Sequence, residues 1–362
     1  MTYYRTGELG EFITLKRGYD LPQQNRKNGC VPIFSSSGIS GTHDAAMVKA
    51  PGVITGRYGT IGQVFMANED FWPLNTTLYV EDFHGNNPRF IYYFLKTLEW
   101  KKFTSASAVP GINRNTVHKE VISLPDIETQ DKIASVLKIL DDKIEINQKI
   151  NDNLHQQAAA LFSSLYDRSN TEVRFTDLIQ ILGGGTPKTG ENTYWNGNIA
   201  FFTPKDVGIP YTLITEKTIS KEGLSHCNSR LYPVNTVFVT ARGTVGKVGM
   251  SGVPMAMNQS CYALVGKETH QLLVYFYTLK AVDRLKHKAS GAVFDAITTR
   301  DFESEQIMKL SDDDATAFLR VAEPMFQEVL NNNIENLRLS TLRDSLLPKL
   351  MSGEIDVSAV QL

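Results

Sequence analysis

Two short stretches of the chain combine arginine, threonine and glycine at nearly the same spacing. Thr55, Arg57, Tyr58, Gly59, Thr60, Gly62 and Val64 make the first. Thr240, Arg242, Gly243, Thr244, Gly246, Lys247 and Val248 make the second. Glycines let backbone amides approach a ligand, threonine hydroxyls bond phosphate or base edges, and arginine takes guanine bidentately. A tight hairpin that needs positive φ explains one copy equally well. Two copies, each keeping arginine, set a binding role beside that hairpin reading. Basic groups recur after an aromatic segment in both halves: Lys101, Lys102 and Arg114, then Arg284, Lys286, Lys288 and Arg300. They suit phosphate contacts, with ordinary solubilising charge as the alternative.

Patterns that would signal catalysis fail on inspection. The glycine-rich run from Gly183 to Gly190 is followed by Glu191 and Asn192, where a phosphate loop needs Lys and Ser or Thr. Its residues Thr186 and Lys188, with Lys205, remain candidates for a nucleic-acid backbone. Asn87, Pro88, Arg89 and Phe90 lack the second proline of the adenine methyltransferase signature and read as a helix start. Asp126, Asp141 and Lys143 imitate a nuclease pattern, but the last two fall on a helical segment rather than a strand beside a metal. A solvated helix face is the better reading. His226 and Cys227 have no partner at metal-ligand spacing. We assign no catalytic residue, no metal and no cofactor to the chain.

The elements that must position these residues are duplicated. Beyond the Arg/Thr/Gly stretches, Asn75 to Tyr79 returns as Asn258 to Tyr262, and an aromatic helix at Tyr92 to Lys96 returns at Tyr275 to Lys280. Each half also has an Ala-Ser pair (Ala106 and Ser107; Ala289 and Ser290). One long two-copy repeat is a duplicated domain rather than a solenoid. Glycine, serine and asparagine punctuation between short β-branched and aromatic runs predicts mixed strands and helices in each head. We expect a helix over 90–103 in the first head. In the second we expect strands over 199–203 and 236–241 and a helix over 271–286.

A heptad-patterned rod follows each head. Ile133, Leu137, Leu140, Ile144, Asn147, Asn151, Leu154, Ala158, Leu161 and Leu165 alternate by four and three, which is a coiled-coil seam. About 38 residues at 1.5 Å per residue give roughly 57 Å. Shifting that seam by the repeat places Leu319, Phe326, Leu330, Asn333, Leu337 and Leu347 on the second rod, where Pro324 is expected to kink the helix or mark its true start. Paired antiparallel within the chain, the rods would hold the heads apart, with Asn151 opposite Asn333 and Ala158 opposite Phe326. The expected fold is α+β: heads at 1–126 and 169–312, rods at 127–168 and 313–353, and a tail at 354–362.

Net charge is −2, but it is unevenly spread. Residues 1–125 and 171–310 each carry +3, while 126–170 carry −3 and 311–362 carry −5. Mildly basic heads can approach phosphate that acidic rods avoid. No apolar run reaches the length of a membrane span, and the first residues lack a secretory stretch. Three cysteines without a CxxC pair fit a reducing cytoplasm.

The order of these features resembles the specificity subunit of type I restriction-modification systems. The motifs that carry the resemblance are Gly184 to Pro187, Tyr194 to Ile199, the paired turns, Ile127 to Ile133, and Leu346 to Ile355. The resemblance implies two target-recognition domains, each reading half of a bipartite, asymmetric site on double-stranded DNA. It implies rods that act as spacer and as dock for two methyltransferase subunits. Those subunits would bind S-adenosylmethionine, and motor-nuclease subunits using ATP and magnesium would join through them. A self-contained DNA-modifying enzyme and a structural coiled-coil tether that binds proteins are the alternatives.

Overall fold

The computed structural model describes residues 4–104, 110–288 and 296–360. The pairs Ala106 and Ser107, and Ala289 and Ser290, lie outside the described residues. The chain divides into two compact units, Met1–Lys143 with Leu339–Leu362, and Ile144–Arg338.

In the first unit a four-stranded antiparallel sheet runs in the order Thr14–Arg17, Thr77–Asp82, Gly52–Gly56, Val64–Ala67. A three-stranded sheet of Gly38–His43, Val31–Ser35 and Trp72–Pro73 accompanies it. The helix Pro88–Thr97 starts where the Asn-Pro pair directs it. Asn87 Oδ1 accepts from the Arg89 and Phe90 amides at 2.8 and 2.9 Å, and proline suits the first helical position. It stops short of the expected 103 because Leu98 turns extended. Trp100–Phe103 forms a separate 3₁₀ turn, with Trp100 Nε1 donating to the Leu95 carbonyl at 2.8 Å.

The second unit repeats this frame. Its sheet order is Ile179–Gly183, Cys261–Gly266, Val237–Thr240, Val248–Ser251, with Tyr211–Thr212 added in parallel at the edge. A three-stranded sheet of Lys217–Ile219, Trp195–Phe202 and Met255–Met257 again accompanies it. The aromatic helix is Gln271–Lys288.

Two long helices, Ile127–Tyr166 and Asp312–Ser352, contribute to both units. Asp126 Oδ1 caps the first by accepting from the Thr129 amide at 2.9 Å, and Ser311 Oγ caps the second by accepting from Asp314 at 3.1 Å. The second helix is continuous through Pro324, so the expected interruption is absent. Gly353, at φ +76°, ends it in the left-handed conformation that glycine adopts without strain.

The helices pair antiparallel through a buried asparagine layer in the second unit. Asn147 Nδ2 donates to Asn336 Oδ1 at 2.9 Å, and Asn332 Nδ2 donates to Asn151 Oδ1 at 2.9 Å. An offset of 185 residues converts 147 to 332 and 151 to 336, so the two bonds are related by the internal pseudo-twofold. Asn151 Nδ2 also reaches Asn333 Oδ1 at 3.1 Å. A satisfied polar layer of this kind sets helix register at some cost in stability.

This offset corrects the seam of the second helix. Phe318 and Ala322 are fully buried, as are Val329 and, nearly so, Asn332 and Asn336; Leu319 is only partly buried and Leu337 is 37 % exposed. One residue of misregister turns a helical side chain by about 100°, enough to move Leu337 off the buried face. Phe326, Leu330 and Leu347 are buried, and Asn333 is partly so. On the first helix Ile133, Leu137, Asn147 and Asn151 are buried, while Leu140, Ile144, Leu154 and Leu161 are half-buried. Ala158 and Phe326 belong to one apolar cluster.

Asp141 is not on a solvated face. Its carboxylate accepts from the Tyr93 hydroxyl and from Arg343 Nη1, each at 2.6 Å. Burial, and then the Asp141 carboxylate, push the Tyr93 pKa well above its ordinary value, so this hydroxyl remains a donor. No helix among the described residues is long and apolar enough to cross a membrane.

Candidate DNA interface

In the first unit, residues 57–63 turn the chain between Gly52–Gly56 and Val64–Ala67. The Gly56 amide donates to the Gln63 carbonyl at 3.0 Å, and Gly62 donates to Gly56 at 3.3 Å. Gly62 sits at φ +79°, and a Cβ there would lie 2.6 Å from Trp100, so both backbone and packing require glycine. The Arg57 and Tyr58 amides share the Thr76 carbonyl, and the Ile112 amide donates to the Arg57 carbonyl at 3.1 Å. Arg57 Nε donates to the Ile112 carbonyl at 3.3 Å, and its guanidinium lies 4.5 Å from the Tyr58 ring centroid.

The second unit builds the same turn with other side chains. Thr240 donates to Lys247 at 3.0 Å and Gly246 to Thr240 at 2.8 Å. The Ala241 and Arg242 amides share the Ser260 carbonyl, and Ile297 donates to Ala241. Bond for bond, Gly56 corresponds to Thr240, Arg57 to Ala241, and Tyr58 to Arg242. The two arginines that look equivalent in sequence therefore hold adjacent positions of the frame. Strand register agrees: Leu78 opposes Thr55 as Tyr262 opposes Val239, and Asn75 corresponds to Gln259 rather than Asn258. Matching like side chains displaced this part of the repeat by one residue; the backbone ladder counts positions instead.

The other candidate side chains separate by what they touch. Thr55 is 1 % exposed within its strand, which removes it from any interface. Lys288 pairs with Glu305 at 2.5 Å, and Arg284 joins it at 2.7 Å; that carboxylate is fully buried and requires such partners. Lys102 pairs with Glu120 at 2.5 Å, and Lys205 with Glu216 at 3.8 Å. Lys286 Nζ donates to the Gly246 carbonyl at 2.8 Å, holding the turn from behind. Thr244 Oγ1 donates to the Pro204 carbonyl at 3.1 Å, and Thr186 Oγ1 donates to Gln259 Oε1. Thr60 is half-buried in its turn. Lys101, Arg114, Lys188, Lys247, Arg242 and Arg300 are exposed.

A cleft of about 510 Å³ opens beside the first turn, lined by Arg17, Arg57, Tyr58, Leu78 and residues 111–115. Among the described residues, three arginines and no carboxylate line it. Sequence reading missed Arg17, Asn113 and Asn115. Arg17 is remote in sequence and arrives only because its strand pairs with Leu78. Asn113 was legible as a helix cap before Arg114, and its Oδ1 accepts from the Asn115 amide at 3.0 Å. Among the described residues, no three His, Cys, Asp or Glu side chains are grouped to hold a metal.

His118 secures the strand that carries Arg17. Its Nε2 accepts from the Leu15 amide at 2.9 Å, which requires that nitrogen to be unprotonated. Burial, then Arg114 and His84, hold its pKa below the ordinary 6.5. The unfolded chain thus binds the proton more readily, and stability is lost as pH falls through 6.5 towards the depressed value. We expect urea midpoints to drop between pH 7 and pH 5, and the drop to shrink in His118→Gln; an unchanged pH dependence in the variant would contradict this role.

Two copies of one α+β frame, each presenting a polar turn beside arginines, define a twin-headed recognition protein. The family model described as type I restriction modification DNA specificity domain matches residues 2–156 and 168–309, and the chain belongs to that family. It is 25 % identical to the type I restriction enzyme HindI specificity subunit of Haemophilus influenzae, over 74 % of this chain and 77 % of that one. It is 22 % identical to the MjaIX specificity subunit of Methanocaldococcus jannaschii, over 74 % and 69 %. The crystal structure of a type I restriction-modification S subunit from M. genitalium shares the fold, with a TM-score of 0.62 at 16 % identity over 97 % of this chain and 96 % of that one.

Proposed function

We propose that the chain is the sequence-specific DNA-binding subunit of a type I restriction-modification complex. Each head reads one half of a bipartite, asymmetric site. The observation that carries this reading is a shared hydrogen-bonded frame whose exposed side chains differ between the units. A conserved frame with altered readers is what two unlike half-sites require. Membership of the specificity-domain family supports it.

The paired helices serve as spacer and as dock for two methyltransferase subunits, through which motor-nuclease subunits join. This chain supplies recognition and no catalytic group. S-adenosylmethionine, ATP and magnesium belong to the partners, and the assembly works in the cytoplasm. Selection from a random duplex library, with the methyltransferase subunit present, should enrich two short motifs at fixed separation. Arg242→Ala should relax one motif only, by about 1–3 kcal/mol. Equal loss at both motifs, or binding without sequence preference, would overturn the reading.

A further inference from the structure

The heads differ in more than residue identity: their arginines are displaced along the frame in a consistent direction. In the first unit the segment beyond the turn runs Gly111, Ile112, Asn113, Arg114, Asn115, with Asn113 capping the helix Arg114–His118. In the second, Ala296, Ile297 and Thr298 hold the matching positions, and Thr298 caps Thr299–Ser304. The bridge between Tyr58 and Gly111 matches that between Arg242 and Ala296. Arg114 therefore corresponds to Thr299, and Asn115 to Arg300. On the turn, Arg57 corresponds to Ala241, which is 4 % exposed, and Tyr58 to Arg242. Arg242 and Arg300 of the second unit thus each sit one position further along the frame than Arg57 and Arg114. The third arginine of the cleft, Arg17, opposes Leu78, while Gly183 opposes Tyr262.

The three arginines that line the cleft of the first unit are held differently. Arg57 is half-buried, with Nε committed to a carbonyl and its face to the Tyr58 ring. That fixes the guanidinium plane and leaves the Nη pair as its working edge. A fixed fork is what bidentate recognition of guanine O6 and N7 needs, because little rotamer freedom is lost on binding. Arg17 and Arg114 are exposed, and among the described residues neither forms an ion pair. Exposed cations lining a cleft suit phosphate, which positions a duplex without reading it.

We infer that Arg57 is the base-reading group of the first head, with Arg17 and Arg114 on flanking phosphates, and that the second head, with buried Ala241 at the Arg57 position, engages its half-site one frame position further along through Arg242 and Arg300. This rests on the DNA-recognition reading above. It makes guanine the base class addressed by Arg57, and it explains how one frame serves two unlike half-sites. A shift of one position re-aims the guanidinium while the amides of Thr240, Ala241, Arg242 and Gly246 keep the bonds made by Gly56, Arg57, Tyr58 and Gly62.

The test uses the full chain with the methyltransferase subunit, random-sequence duplexes and a salt titration. Arg57→Gln should lose preference for one G·C pair in one motif, with discrimination falling about tenfold, and leave the other motif intact. Arg17→Gln and Arg114→Gln, at exposed positions that do not endanger folding, should keep both motifs and each reduce the salt slope by about one. Arg300→Gln should affect the second motif alone. Wild-type motifs surviving Arg57→Gln at full discrimination would overturn the inference while leaving the DNA reading in place. Altered base preference from Arg17→Gln or Arg114→Gln would overturn the assignment of roles. A wild-type chain that selects no motif would remove the DNA reading itself, and this inference with it.

Discussion

Phe162→Ala should destabilise the unit Ile144–Arg338 by about 3–5 kcal/mol, the largest effect we expect from one substitution. Phe162 is 1 % exposed on the first long helix. Its ring stacks on Phe276 at 5.0 Å and meets the edges of Tyr277 and Phe318 at 5.4 and 5.5 Å. Those partners come from the aromatic helix and the second long helix, so one ring joins three elements. Truncation removes its transfer energy and leaves a cavity that three helices cannot close together. Trp195 is the one tryptophan of residues 144–338, so its fluorescence in urea reports on this unit. Phe162→Leu should cost far less, because most of the volume remains. A loss below about 1 kcal/mol for alanine would mean the helices do not pack around this ring.

Arg343→Ala should be the next most damaging, and partly reversible by a second change. Asp141 and Arg343 are 24 % and 18 % exposed, and Tyr93 completes the network. Breaking a fully buried pair costs about 3–5 kcal/mol; partial exposure reduces the expectation to about 2–3. The internal repeat suggests the rescue. Shifted by 185 residues, Asp141 becomes Phe326 and Arg343 becomes Ala158, and the second unit fills this layer with those two buried side chains. Asp141→Phe combined with Arg343→Ala should therefore lose less stability than Arg343→Ala alone, with a coupling above about 1 kcal/mol. Trp195→Phe as background leaves Trp72 and Trp100 to report on the first unit. Additive losses would show that the two layers are not interchangeable.

The repeat governs which features could be read before coordinates. The long helices were legible because a four-and-three alternation is local and their caps, Asp126 and Ser311, adjoin them. Asn147 and Asn151 stood out as polar residues in an apolar seam. Of their partners, Asn333 was placed opposite Asn151 and does accept from it, whereas Asn332 and Asn336 were not legible, because Asn331, Asn332 and Asn333 are consecutive and the pairing depends on a single-residue offset. Leu337 was misplaced for the same reason. On the turns, the glycines, threonines and arginines were visible, but the register between them was not. A repeat aligned on side chains has no access to the carbonyls of Thr76 and Ser260 that hold each turn.

Cations show the same division. Lys288, Arg284 and Arg57 all read as candidate DNA contacts, yet the first two neutralise the buried Glu305 and the third is clamped against Tyr58. Composition and periodicity by themselves determined the duplication, the mixed heads, the long paired helices and the basic character of the heads. These are encoded by neighbours three, four or seven residues apart and by repeated patterns along the chain. Only the tertiary structure decided which arginines share a cleft, which lysines are committed to carboxylates, and which frame position each reader holds. Those outcomes are set by strand register and contacts between residues tens of positions apart, where no sequence spacing records the geometry.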